Sequence, residues 1–106
     1  MEQGKARDAR AVHSSLRDPD LAEIVEMFVA ELPARIAALA AAADANDWKE
    51  VARLAHQLKG AGGSYGFSEL TPLAAGLESA AKGNSQTAEI PILIGDLQQL
   101  CRRLRA

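Results

Sequence analysis

Leu54-Ala55-His56-Gln57-Leu58-Lys59-Gly60-Ala61-Gly62-Gly63-Ser64-Tyr65-Gly66-Phe67 is the stretch around which the chain is organised, and it holds one of only two histidines. On a helix turning about 100° per residue, Val51, Leu54, Ala55, Leu58, Gly62 and Tyr65 fall on one stripe. His56 lies roughly 140° or more from the centre of that stripe. Ala52, Lys59, Gly60 and Gly63 share its side. The spacing predicts a helix that buries one face and shows an imidazole to water, one turn from an ammonium group, among very small side chains.

Glycine inside a helix costs roughly 1 kcal/mol relative to alanine. Keeping Gly60 and Gly63 beside an exposed histidine suggests that the space is needed, because bare backbone lets a partner surface approach the ring. Lys59, three residues on, can reach an anion held on that ring. A solvated imidazole is neutral for much of the time near pH 7, and one ring nitrogen then carries a free lone pair. These residues read as a histidine that takes up a negatively charged group from a docked protein. The plainer reading is a solvated surface histidine near a glycine-rich helix end. Gly66, after which a new amphipathic pattern begins, fits a C-terminal cap. Spacing alone does not decide between them.

Ala55-His56-x-Leu58-Lys59-Gly60 followed by Gly66 resembles the signature of histidine phosphotransfer (HPt) domains of multistep phosphorelays. The resemblance extends over most of residues 18–82 and includes Phe28, the Leu39 to Ala43 run, Asp47 and Leu77-Glu78. It implies that His56 accepts a phosphoryl group from a phospho-aspartate and passes it to another aspartate. It implies response-regulator receiver domains as partners, with a hybrid sensor histidine kinase as a source. The receiver would contribute the acidic pocket, the Mg²⁺ and the reactive aspartate, so this chain would be a phosphocarrier rather than an enzyme, with no cofactor of its own. The family places a Gln or Glu at the position of Glu78 that hydrogen-bonds the active ring. Glu78 would thus hold one nitrogen of His56, and Lys59 and Lys82 would compensate charge on the phosphoryl group. The simpler role for Glu78 is a pair with Lys82 one turn away.

At 106 residues the chain is expected to form one domain. Its residues are 48% apolar but only 4% aromatic, and the abundance of alanine favours closely packed helices over a sandwich. A net charge of −2 gives no basic footprint for nucleic acid. The single cysteine fits a reducing cytoplasm. No apolar run approaches the roughly 18 residues of a membrane span, and the N-terminus lacks the apolar core of a secretion signal. The initial methionine suggests a free-standing protein, and nothing demands a dimer.

Residues 1–17 read as a polar arm, or a short extra helical turn, and His13 within it is given no function. Asp18-Pro19 reads as a cap and first helical position. Leu21, Val25, Phe28, Leu32, Ile36, Leu39 and Ala43 keep phase through Pro33, predicting one helix over 19–45 bent at that proline, with two helices meeting there as the alternative. Ile24, Met27 and Val29 widen its apolar face. They either pack a bundle or, for Ile24 and Met27, form a docking patch near His56. Asp47 and Glu50 resemble a capping box opening the histidine helix, 47–64. Trp48 reads as a packing anchor. Ser68, or else Thr71-Pro72, starts a helix over 68–82, with a buried stripe of Leu70, Leu73, Leu77 and Ala80 or Ala81. A turn over 82–86 and Thr87 as cap lead into a helix over 88–105 with the clearest stripe in the chain. Cys101 on that stripe reads as a small hydrophobe.

There is no P-loop or dinucleotide fingerprint, no zinc-ligand spacing and no legible nucleophile triad. The expected fold is an all-α, antiparallel up-down four-helix bundle over 18–106 preceded by the arm. The expected function is phosphoryl relay through His56. The alternatives are a helical module that binds a receiver domain without being phosphorylated, and a plain structural bundle.

Overall fold

The computed structural model describes residues 11–16, 18–83 and 88–105. Residues 1–10 and 17 of the arm expected over 1–17, residues 84–86 of the turn expected over 82–86, and the Thr87 cap lie outside the described residues. The elements in order are β1 (Val12–His13), a 3-10 turn (Pro19–Leu21), α1 (Ala22–Asp44), α2 (Trp48–Ser64), α3 (Leu70–Gly83), α4 (Glu89–Arg103) and β2 (Leu104–Arg105). The described chain is therefore mostly helical, in four helices.

Asp18 caps the 3-10 turn, its carboxylate accepting from the Asp20 amide at 2.9 Å. The helix expected from residue 19 thus begins as a tighter turn and becomes α1 at Ala22. It then runs unbroken through Pro33, whose ring is exposed, and buries Val25, Phe28, Leu32, Ile36, Leu39 and Ala42. At its end Asn46 adopts a positive φ of 56°. The Asn46 amide donates to Ala43 at 3.0 Å and the Asp47 amide to Ala42 at 2.9 Å, which satisfies carbonyls that a helix end leaves open.

Asp47 caps α2 by accepting from the Glu50 amide at 3.2 Å. Only half of the expected capping box forms, because Glu50 turns its carboxylate to Arg53, whose Nε donates at 2.8 Å. At the other end Gly66 has φ of 82°, a conformation that costs any residue with a Cβ. The Phe67 amide donates to Gly62 at 2.8 Å and the Gly66 amide to Gly63 at 3.2 Å, completing a Schellman cap. The chain is thereby turned so that Phe67 enters the core. Phe28 stacks on Tyr65 with centroids 4.6 Å apart and lies 6.1 Å from Phe67.

Two expected boundaries move. The third helix starts at Leu70 rather than Ser68. A tight turn precedes it instead, with Leu70 donating to Phe67 at 3.0 Å and Thr71 to Ser68 at 3.2 Å. The fourth helix ends at Arg103 rather than 105. Leu104 and Arg105 become extended and pair in parallel with Val12 and His13. A helical turn is therefore not what the described part of the arm forms. Ser14 continues the attachment: its amide donates to Arg105 at 3.2 Å and its hydroxyl to the Tyr65 carbonyl at 2.6 Å. The Ser15 amide donates to Gly66 at 2.8 Å.

The fully buried side chains include Leu32, Leu39, Leu58, Phe67, Leu77 and Leu97, so all four helices and the turn after α2 share one core. Helices α2 and α3 approach closely through small residues. A Cβ on Gly62 would stand 2.8 Å from the Leu70 Cβ, and Ala55, Ala74 and Ala81 are buried nearby in the core. Near the other end of these helices His56 meets Glu78.

The α2 glycines should separate in unfolding experiments. Gly63→Ala meets open space and is expected to raise stability by about 0.5–1 kcal/mol through helix propensity. Gly66→Ala meets an unfavourable φ and the Ser14 hydroxyl, and is expected to lower stability by about 1–3 kcal/mol. Urea unfolding midpoints of the two variants beside the parent check both signs.

Candidate functional site

His56 stands on α2 with its side chain 67% exposed. The sequence puts it there because Val51, Ala55, Leu58 and Gly62 occupy the buried stripe and leave position 56 pointing away. Glu78 comes from α3, 22 positions later, with its side chain only 10% exposed. The Glu78 Oε2 atom lies 3.1 Å from His56 Nδ1 and accepts from the Lys82 ammonium at 3.0 Å. Its other oxygen, Oε1, accepts from the Lys59 ammonium at 2.9 Å.

A sheltered carboxylate is stable as an anion only with such partners. The hydrogen bond from Lys59, then that from Lys82, holds the Glu78 carboxyl down to about 2, against the opposing effect of desolvation. Ionised Glu78 can only accept, so the proton of a neutral His56 ring belongs on Nδ1 and the lone pair on Nε2. The arrangement fixes a tautomer and a ring orientation with a nucleophilic nitrogen in water.

Of the residues singled out from the sequence, His56, Lys59, Glu78 and Lys82 are brought together. Both suggested partners of Glu78, the ring and Lys82, are present. The link from Lys59 to Glu78 was not foreseen, because it joins two helices. Gly60 and Gly63 face open space, with nothing near a notional Cβ, so the chain's own packing does not require them to be glycine. Ala52 departs from the expected exposed face. It is only 8% exposed, because α3 covers its side of α2, and it forms the floor of a groove rather than an open surface.

Ile24 and Met27 are exposed, at 46% and 59%. They flank the part of α1 where Phe28 stacks on Tyr65. Along α2 that level is about 13 Å from His56 at the helical rise. Cys101 is half-buried, and burial pushes its thiol up, in keeping with a packing role.

Beside His56 the groove measures about 680 Å³, running back toward Trp48 at the start of α2 and bounded by Ala81 and Lys82 of α3. Among the described residues no group of three or more His, Cys, Asp or Glu is placed to hold a metal ion. No helix among them is long and apolar enough to cross a membrane.

A family model, the Hpt domain, matches residues 23–106, which takes in all four helices and the whole His56 cluster. The chain belongs to the Hpt domain family. Hpt domains are histidine phosphotransfer modules of phosphorelays, carriers of phosphoryl groups rather than catalysts, and they interact with receiver domains. Searches of the curated proteins and of the solved structures return no match.

The Glu78 anion gives this Hpt domain a measurable acid response. A carboxyl lowered on folding contributes stability that is fully present above its unfolded value near 4.5 and is lost as pH falls toward about 2. Glu78→Gln cannot titrate. The parent is expected to be the more stable at pH 6, with the gap closing between pH 4.5 and 2. Urea unfolding across that range checks the closure, and a constant gap would remove Glu78 as its source.

Proposed function

We propose that this Hpt domain relays phosphoryl groups through His56, accepting one from a phospho-aspartate of a receiver domain and passing it to an aspartate of another. The observation that supports the reading most directly is the 3.1 Å contact of His56 Nδ1 with Glu78, on a ring otherwise open to solvent. In this reading the Nε2 lone pair attacks phosphorus in line with the aspartyl oxygen. The N–P bond forms as the P–O bond breaks, and the aspartate leaves as a carboxylate. Transfer onward is the same step reversed, with a second aspartate as nucleophile.

No proton has to move in either direction. The ring keeps its Nδ1 proton and gains positive charge as it takes the phosphoryl group, and the Glu78 carboxylate offsets that charge through the hydrogen bond. Lys59 and Lys82 have flexible stems that can turn an ammonium from Glu78 to the incoming phosphoryl oxygens. Mg²⁺ belongs to the receiver's acidic pocket in this reading and neutralises charge on the phosphoryl group there. Gly60 and Gly63 leave room for that pocket to close on the ring, while Ile24 and Met27 form an outlying apolar patch for the same partner.

The reading includes an antiparallel up-down order for the helices. Gly62 lies over Leu70 while His56 meets Glu78, and Gly76 faces Leu93 while Leu73 and Leu100 share a groove. It also includes a monomeric, cytoplasmic carrier over 18–106, supplied by the receiver of a hybrid sensor kinase.

Mixing with a phosphorylated receiver domain is expected to give acid-labile, base-stable label on the parent and none on His56→Gln. Equal label on that variant would overturn the assignment, and receiver binding without label on either would leave a receiver-binding module. Gly63→Leu is expected to fold yet bind the receiver about tenfold or more weakly, since a bulky chain fills a close-contact surface. Undiminished affinity by calorimetry would make the small face incidental.

A further inference from the structure

We infer that the receiver's footprint runs along the groove from His56 back to Trp48, so that Trp48 and Lys49 help select the partner. The inference rests on the phosphorelay reading and extends it to a surface that reading does not use. The groove is continuous with the reactive ring, because His56 is one of its walls. Transfer brings an aspartate of the receiver to bonding distance of Nε2. A protein surface that reaches the ring so closely also covers ground within a helical turn or two of it.

The lining divides by chemistry. Trp48, Ala52 and Ala81 make an apolar floor, and Lys49, Arg53 and Lys82 supply cations around it. Their opposing acids are named contacts: Glu50 pairs with Arg53 and Glu78 takes Lys82. Asp47 at the α2 cap uses its carboxylate on the Glu50 amide. Lys49 is exposed at the far end, about 10 Å along α2 from His56 by helical rise. Arg53 and Lys82 already have carboxylate partners, so an acidic rim around a phospho-acceptor pocket is the surface complementary to Lys49. The occupant assigned here is therefore the acidic face of a receiver domain, with an apolar side chain of that face against Trp48.

Trp48 is the single tryptophan of the chain and reports on the groove directly. The experiment titrates the intact chain with an unphosphorylated receiver domain and Mg²⁺, following Trp48 emission with a receiver lacking tryptophan. Saturable change in emission is expected, with Lys49→Glu weakening Kd about five- to tenfold at low salt and less at high salt. Labelling of His56 in Lys49→Glu by the small donor phosphoramidate is expected to match the parent, since Lys49 is remote from the ring. A chain labelled normally by phospho-receiver, with no Trp48 change and an unaltered Kd in Lys49→Glu, overturns the groove alone. A Trp48 change on concentrating the chain by itself gives the groove to a second copy and also overturns it. A chain that no receiver labels or binds removes the phosphorelay reading and this inference together.

Discussion

Glu78 is a carboxylate that folding has placed in shelter, and the site is built on what such a group requires. Withdrawn from water it needs donors, and it finds them in two ammonium groups and a ring nitrogen. The need runs both ways. The same bonds that keep Glu78 ionised hold the ring of His56 in one orientation and occupy Nδ1. They also hold the Lys59 and Lys82 ammonium groups beside the carboxylate that meets the exposed ring. The helix packing exists, in this sense, to bring position 78 beside position 56. Small residues between α2 and α3, with Gly62 against Leu70, let the backbones come close enough.

Three glycines in and just after α2 illustrate how differently the same residue can be used. Gly62 has no room for a side chain because α3 is against it, and Gly66 has a backbone angle that only glycine takes without strain. Gly63 has neither constraint. It weakens its helix, and the packing of the described residues gives it no reason to be small. That contrast separates glycines the fold requires from one it does not, and composition alone could not have drawn it.

Much of the architecture was legible because hydrophobic period is a local signal. Phase carried α1 correctly through Pro33, and the burial of Val51, Ala55, Leu58 and Gly62 on α2 followed from the helical period. His56 and Lys59 were legible for the same reason, as neighbours on one helix. Features that arise between elements were less so. Ala52 lies off the stripe in sequence but under α3 in space. The start of α3 was misjudged because Ser68 has the chemistry of a cap, whereas the tight Phe67 turn leaves the helix to begin at Leu70. The pairing of Val12–His13 with Leu104–Arg105 left no pattern to read, since two residues are too few to show a strand period.

That pairing also closes far more chain than any contact between neighbouring helices. The contact between α2 and α3 closes a loop of 22 positions at His56 and Glu78, and the hydroxyl of Ser14 reaches Tyr65 across 51. The β1–β2 ladder spans nearly the whole chain. Loop-closure entropy rises with the number of residues enclosed, so contacts between neighbouring helices close at lower cost than the ladder. Because the ladder touches neither His56 nor Glu78, fraying of the ladder leaves the reactive cluster assembled. The His56–Glu78 contact depends on a short loop between neighbouring helices, and the joined ends depend on the whole bundle.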